Sequence, residues 1–455
     1  MTELAEETKT YLSNFSRIEK QVGGTTRMWL DQMRKAAMDR FAEVGFPSTT
    51  DEEWRTTNVA PLAKIAFKPG TNVELHGDDI AAFSFGHDAS IELVFVNGHF
   101  APNLSVTRSL PRGVKVTRLA NALEADADLI EQHLGKHANI NDNPFVALNT
   151  GFVRDGVFIH LPRNATVERP IHLMFVSAPG GEPSVAHPRV LIIAEDNSEA
   201  TIVKSYFSTT RSGRYFDNVV TEIITGNDCR LDLTTLQEDN ADAYHVSTTQ
   251  VKLGRASKFV SYSTTLGGKL TRNNLNVVLA GEGADATLNG LVLVNGDQHC
   301  DNHTLIDNAA PNCPSYELYK HVLKDRASAV FKGKILVRQI AQKTDSKQTS
   351  KSLLLSDEAT MNSQPALEIY ADDVKCTHGS TIGPVDEESV FYLRSRGVSL
   401  EAARHLLTYA FAADVTRRMK VEAVRRRIEN YIAAQHGLPQ DLRIADLGAH
   451  DEDVL

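Results

Sequence analysis

Asn197-Ser198, Asn227-Asp228, Arg255-Ala256, Gly283-Ala284 and Asn312-Cys313 punctuate the stretch 197–313 at steps of roughly 28 to 30 residues. A second series, Tyr215, Tyr244, Thr271, Gln298 and Arg326, falls between them and steps by roughly 27 to 29 residues. The segments joining these points are short β-branched and aromatic runs, as strands should be. In Val330-Phe331-Lys332-Gly333-Lys334-Ile335-Leu336-Val337, Phe331, Ile335 and Val337 face one way and Lys332 and Lys334 the other. Two interleaved strand series with one period predict a coil in which each turn supplies two main strands, stacked on the same strands of the next turn. That architecture is a parallel β-helix, in which only side-chain size and inward polarity must recur, so the repeats share little identity. A twisted antiparallel sandwich is the main competitor, but its hairpins would bring turns every 8 to 12 residues or so. The even spacing favours the coil.

Outward from this stretch the character changes at about Phe152 and again at Asp386. The expected organisation is an N-terminal helical and mixed region over 1–150, the β-helix core over 151–385 and a C-terminal helical domain over 386–455. Near the N-terminus, Thr25 to Gly45 carries Trp29, Met33, Ala36, Ala37, Phe41 and Val44 at helical spacing, with Gly45 and Pro47 as stop signals. A polar linker from Pro47 to Thr57 holds Trp54, a plug between neighbouring elements. Ser90 to Phe95 reads as a strand and Leu119 to Leu134 as an acid-rich helix. In the tail, a helix from Asp386 to Leu393 halts at Gly397. A second starts at Ser399 with Leu400, Ala403, Leu406, Leu407, Ala410, Phe411 and Val415 on one stripe. A third, about Thr416 to Ala434, buries Val421, Val424, Ile428 and Ile432 and turns Arg417, Arg418, Lys420, Arg425, Arg426 and Arg427 outward. This basic face is either a docking surface for an acidic partner or a solvated one. The acidic end, Asp441 to Leu455, is expected to fray.

The 455 residues are 42% hydrophobic and 23% charged, an ordinary globular balance with room for a large core. With 58 acidic against 48 basic side chains the net charge is -10, which argues against nucleic acid as the main partner. The start, Met1-Thr2-Glu3-Leu4-Ala5-Glu6-Glu7, is acidic where a secretory signal needs positive charge, and runs such as Val190 to Ala194 are too short to span a bilayer. A cytoplasmic protein is expected. Its four cysteines, Cys229, Cys300, Cys313 and Cys376, are scattered and read as free thiols.

No G-x-x-x-x-G-K-[ST], G-x-S-x-G or H-E-x-x-H occurs, which removes the common ATPase, hydrolase and zinc protease signatures. His299-Cys300-Asp301-Asn302-His303 offers metal ligands, yet on a strand His299 and His303 face one side and Cys300 the other, so the three do not converge without a bulge. The remaining candidate lies where the β-rich region stops, at Asp372-Asp373-Val374-Lys375-Cys376-Thr377-His378-Gly379-Ser380-Thr381-Ile382-Gly383. Apolar Leu367 and Ile369 are odd-numbered, whereas Val374, Cys376 and His378 share even parity, so the paired aspartates mark a bend that resets the strand's phase. Thiol and imidazole then point the same way. They are either core side chains or two ligands for a soft metal such as iron or zinc whose other ligands come from elsewhere. The last turn of a β-helix also exposes an unpaired edge that invites another strand.

The same stretch, with Phe391-Tyr392-Leu393-Arg394-Ser395-Arg396-Gly397-Val398, resembles the C-terminal signature of the SufD branch of the SufB/SufD family, subunits of the SUF iron-sulfur cluster assembly machine. Asn312-Cys313-Pro314-Ser315 with Tyr319-Lys320, Val330 to Ile335, and Glu53-Trp54-Arg55 extend the likeness over most of the chain; Ser380 and Ile382 stand where Ala and Val are expected. The glycine- and cysteine-containing segment that precedes the tail in SufB is absent. The resemblance implies a right-handed parallel β-helix with helical regions at both ends, a non-catalytic scaffold that pairs with SufB through β-helix edges. It also implies that the ABC-type ATPase SufC docks on the helical tail, where Phe391, Tyr392, Arg394, Arg396, Leu406 and Phe411 are the candidate contacts. A nascent iron-sulfur cluster, or iron, would be shared with the partner subunit through His378, with Cys376 beside it. A β-helix carbohydrate-active enzyme and a purely structural subunit that positions SufC are the alternatives. The isolated chain is a candidate homodimer through its exposed edge.

Overall fold

The computed structural model describes residues 6–22, 27–89 and 91–435. From Gly156 onward the backbone winds as a parallel coil with two long walls. One wall stacks Gly156–Leu161, Arg189–Ala194, Tyr215–Thr225, Tyr244–Leu253, Leu270–Leu279, His299–Asn308, Ser328–Val337 and Thr360–Ile369 in that order. The other stacks Thr166–Ser177, Glu199–Ser208, Arg230–Glu238, Lys258–Thr265, Asp285–Val294, Pro314–Leu323, Asp345–Leu354 and Lys375–Gly383. Neighbours in each wall are parallel, and from Arg230 onward their registers run without a break. The expected β-helix is therefore the fold.

The first series of turn signals has a conformational cause. Asn197, Asp228, Ala256, Gly283 and Asn312 all adopt left-handed backbone, with φ of 59°, 58°, 55°, 70° and 59°, and Lys343 continues the series at 62°. Asn, Asp and Gly tolerate this region best, which is why they recur. Each of these N–H groups donates to a carbonyl of the following turn: Asn197 to Asn227 (2.8 Å), Asp228 to Arg255 (2.8 Å), Ala256 to Glu282 (2.9 Å), Asn312 to Gln342 (2.9 Å) and Lys343 to Asp373 (2.7 Å). The residue after each corner, Ser198, Cys229, Ser257, Ala284, Cys313 and Thr344, is small and buried. Glycines just before the corners let the backbones stack: a Cβ on Gly254 would lie 2.0 Å from the Gly226 carbonyl oxygen.

Inside the coil, alternate residues of both walls form one apolar core through Leu173, Ile202, Val219, Leu233, Val251, Val277, Leu288 and Ile306. Toward the C-terminal end this lining turns polar, with Glu317, Gln348, Ser350 and Ser352 buried. The N-terminal end is plugged. Ile91–Val96 adds parallel to Thr166–Ser177, and Lys115–Arg118 runs antiparallel to Gly156–Leu161. The helix Met28–Val44 buries Leu30, Arg34, Ala37, Met38 and Phe41, a stripe rotated from the one the apolar spacing suggests. Arg34 turns inward to donate to the Gly151 carbonyl at 3.2 Å, leaving Ala36 and Val44 outside. The acid-rich segment is two helices, Leu119–Ala125 and Ala127–His133, broken at Asp126. Glu6–Val22, which has no counterpart in the sequence reading, is a further helix.

The tail helices Glu387–Ser395, Leu400–Thr416 and Glu422–Gln435 lie on the outer face of the second wall. Asp386 and Ser399 cap the first two, accepting from the N–H of Ser389 (3.0 Å) and Ala402 (3.2 Å). Leu236, Tyr262, Leu291, Leu318 and Val322 of the wall meet Ala403, Tyr409, Ala412, Val415, Val424 and Ile428 of the helices. Leu400 and Ala410, expected on the buried stripe, are exposed. The basic face expected of the last helix is divided: the helix begins at Glu422, so Arg417, Arg418 and Lys420 stand before it, and Arg426 pairs with Glu422 on the helix itself. Arg427 pairs with Glu238, donates to the Ala82 carbonyl at 2.7 Å and stacks 3.5 Å above the Phe83 ring. Lys420 reaches Asp232 at 2.6 Å, so it and Arg427 fasten the tail to the coil, whereas Arg418 pairs within the tail, with Asp414 at 3.2 Å. Asp441 to Leu455 lies outside the described residues.

Candidate functional site at the open rim

The coil ends on the strand Lys375–Gly383. It pairs parallel with Asp345–Leu354, Cys376 opposite Ser346 and His378 opposite Gln348, and is the last strand of its wall. Among the described residues no strand pairs with its outer edge. The bend expected at the two aspartates is present: Asp373 closes the corner by accepting from Lys343 N–H (2.7 Å) while its own N–H donates to Gln342 Oε1 (2.9 Å). Beyond it Cys376 and His378 share the inward-facing parity of the strand, with Cα atoms about 6.6 Å apart by strand geometry.

Their environments differ. Cys376 is half-buried and packs on Ile335, Val337, Ala341 and Ala371. Burial pushes its thiol up, a Ser346 backbone hydrogen bond opposes this, and Asp345 adds to it. His378 is exposed. Beneath it Gln348 is buried and donates from Nε2 to Glu317 Oε2 at 2.6 Å, so His378, Gln348 and Glu317 form one inward column across three turns. Ser380 Oγ donates to Ser363 Oγ at 2.9 Å, linking the two final strands. Around this pair Ile369, Tyr370 and Ile382 are 40%, 63% and 44% exposed, apolar surface of the kind partners cover.

A thiol and an imidazole on one face are two ligands fit for iron or zinc, two short of a tetrahedral set. The unpaired edge beside them is one to which a further strand can add. Sequence reasoning did not single out Glu317 and Gln348. The signal was parity: Ser315, Glu317 and Tyr319 occupy the inward positions of their strand, directly below Ser346 and Gln348.

The cluster 299–303 is occupied with other work. Cys300 points into the core, and burial pushes its thiol up to about 12. On the opposite side Asp301 pairs with Arg272 (2.6 Å) and His303 (3.0 Å), and His299 meets Thr57 Oγ1 at 2.9 Å. Arg272 lies 4.4 Å over the Trp54 ring, Lys332 reaches Glu53 at 2.8 Å, and His303 lies 3.3 Å from Glu53. These side chains moor the Glu53-Trp54 segment to the coil.

Of the tail residues expected to meet a partner, Phe391 and Tyr392 are 73% and 55% exposed, and Arg396 lies 3.9 Å over the Tyr392 ring. Arg394 is also exposed and Leu406 half-buried. Phe411 is engaged within the molecule, under Lys320 Nζ at 4.5 Å, while Lys320 donates to the Phe411 carbonyl at 3.0 Å. No helix of the described residues is long and apolar enough to cross a membrane.

Fold and site together define a capped β-solenoid with one end plugged and the other furnished with a thiol, an imidazole and an open edge. The chain belongs to the SufBD family: the model described as "SUF system FeS cluster assembly, SufBD core domain" matches residues 175–411 and that of the SufBD protein N-terminal region matches 5–173. It is 33% identical to an iron-sulfur cluster assembly SufBD family protein of Synechocystis sp., over 92% of this chain and 93% of that one. To the iron-sulfur cluster assembly proteins SufD of Escherichia coli and Bacillus subtilis it is 29% and 27% identical, over 86% and 93% of this chain and 89% and 96% of theirs. The family works in iron-sulfur cluster assembly within the SUF system.

Proposed function

We propose that this chain is a non-catalytic, SufD-type subunit that offers His378, with Cys376 beside it, to a nascent iron-sulfur cluster at an interface with SufB. The observation that carries the reading is the position of both side chains on the final, edge-exposed strand. The cluster, or the iron that starts it, is cargo here, not a resident cofactor. A neutral imidazole is a nitrogen ligand for iron near pH 7, and a thiolate suits iron or sulfide. His378 stands in solvent, ready to ligate. Cys376, its thiol raised, would be deprotonated as metal or a partner's positive charge arrives. A SufB strand added to Lys375–Gly383 would continue the parallel ladder and cover Tyr370 and Ile382.

The tail would carry SufC. Its outward aromatic and basic side chains, Phe391, Tyr392, Arg394 and Arg396, are the docking surface, with Leu406 at its margin. ATP-driven movement of SufC would pass through Lys320–Asp414 and Arg427–Glu238 to the coil wall. On this reading the working units are 1–150, 151–385 and 386–455, the whole in the cytoplasm.

The test is reconstitution with SufB and SufC, an iron and sulfide source, and ATP. His378→Ala should leave the complex intact on gel filtration while cluster absorbance falls by an order of magnitude or more, and Cys376→Ala should give a smaller loss. Full cluster yield from His378→Ala would overturn the ligand role. Failure of SufB to co-purify would overturn the pairing.

A further inference from the structure

Well away from the rim, Asp217, Asp239 and His245 meet inside the coil. Asp217 lies in the strand Tyr215–Thr225, His245 is its register partner on the next turn, and Asp239 follows Arg230–Glu238 of the opposite wall. One ligand atom from each lies within 4.8 Å of the other two. All three are buried. We propose that they form a binding site for a single divalent first-row cation of the zinc or ferrous class, inside the coil and separate from the rim.

Three observations carry this. Two carboxylates buried together are costly unless a cation or a proton sits between them, and among the described residues the Asp217 carboxylate has Ser177 Oγ, at 3.3 Å, as its one hydrogen-bond donor. His245 Nδ1 lies 3.1 Å from Asp239 Oδ2, yet neither ring nitrogen makes an aligned hydrogen bond. The Tyr206 hydroxyl is buried without a partner, and its ring packs edge-on against His245 at 4.9 Å. An imidazole whose 3.1 Å approach to Asp239 is not an aligned hydrogen bond, and a buried hydroxyl with no partner among the described residues, are groups that a metal would satisfy.

The donor set of one imidazole nitrogen and two carboxylates suits zinc or ferrous iron, with a water or a further oxygen completing the four. Magnesium, which keeps its waters, would not fit so closed a site. Tetrahedral ligands about 2.0 to 2.2 Å from an ion stand about 3.3 to 3.6 Å apart, so the three atoms, now within 4.8 Å of one another, would draw together to close on the ion. The outer shell is in place: Tyr215 Oη donates to Asp239 Oδ1 and Gln237 Nε2 to Asp239 Oδ2, each at 2.7 Å. A cation here would tie two successive turns of one wall to the corner of the other. Buried so fully, it would enter during folding and leave slowly.

The experiment refolds the full-length chain with one equivalent of Zn2+, passes it over gel filtration in EDTA and counts metal by mass spectrometry, for the wild type, Asp217→Asn and the double variant Cys376→Ala/His378→Ala. The expected result is one EDTA-resistant zinc per chain in the wild type and the double variant, and none in Asp217→Asn. Asp217→Asn should also melt below the zinc-loaded wild type. Wild type without EDTA-resistant zinc overturns the proposal, even if Asp217→Asn fails to fold. So does Asp217→Asn melting at or above the wild type, which would mean that the carboxylates merely share a proton, or zinc lost with the rim pair.

Discussion

Glu317 lies in the column under His378, and it sets a pH dependence that Glu317→Gln should remove. Burial pushes its carboxyl from the ordinary 4.5 up to about 7, against the Thr304 hydroxyl and the Gln348 amide that pull it down; its Oε1 has no hydrogen-bond partner. A carboxyl raised on folding binds its proton more tightly in the folded chain, so its contribution is fully present below pH 4.5 and is lost as pH rises through about 7. At 1.36 kcal/mol per pH unit, that interval is worth about 3 kcal/mol above pH 7. A glutamine keeps the acceptor for Gln348 Nε2, turns its NH2 toward Thr304 Oγ1 and carries no charge. Urea unfolding followed by circular dichroism, at half-unit steps from pH 5 to 8.5, compares the two proteins. The variant should match the wild type near pH 5 and exceed it by about 3 kcal/mol at pH 8. Parallel profiles, or a variant weaker at pH 8, would refute the idea that a charge is held in a dry lining.

Arg189→Met should cost about 3 to 5 kcal/mol, because it strands the Glu222 carboxylate in the interior with only the backbone N–H groups of Gly135, His137 and Ala138; chemical denaturation measures it. Arg427→Ala removes the Glu238 pair and the Phe83 contact, so hydrogen exchange over 422–435 should quicken about tenfold while exchange in the coil stays put, a loss of about 1 to 2 kcal/mol local to the tail. Iodoacetamide at pH 8 should label Cys376 and spare Cys229, Cys300 and Cys313, all buried, and peptide mass spectrometry reads the outcome.

The coil was legible because its corners impose a backbone need that few residues meet. The five turn pairs read from the sequence each contain the residue that adopts positive φ, so a conformational demand had become a compositional period. The bend before Cys376 was legible for a similar reason, since parity is a direct record of which face a strand residue takes. Helix phases were less legible. Apolar spacing alone cannot foresee that Arg34 turns inward to the Gly151 carbonyl, or that Lys420 and Arg427 fasten the tail to the coil. Such choices depend on partners more than a hundred residues away. The Asp217, Asp239 and His245 meeting was hidden for the same reason, because convergence across two walls leaves no local pattern.

The corner ladder also makes the open rim depend on the turn beneath it. Each corner donates to the turn that follows it, and a turn has neighbours only before and after it, so the strand bearing His378 is held in its wall by Asp345–Leu354 alone. A chain cut before Lys375 lacks the finishing edge altogether. A partner that reads that edge would therefore also inspect the chain, since only molecules carrying the last turn can present it.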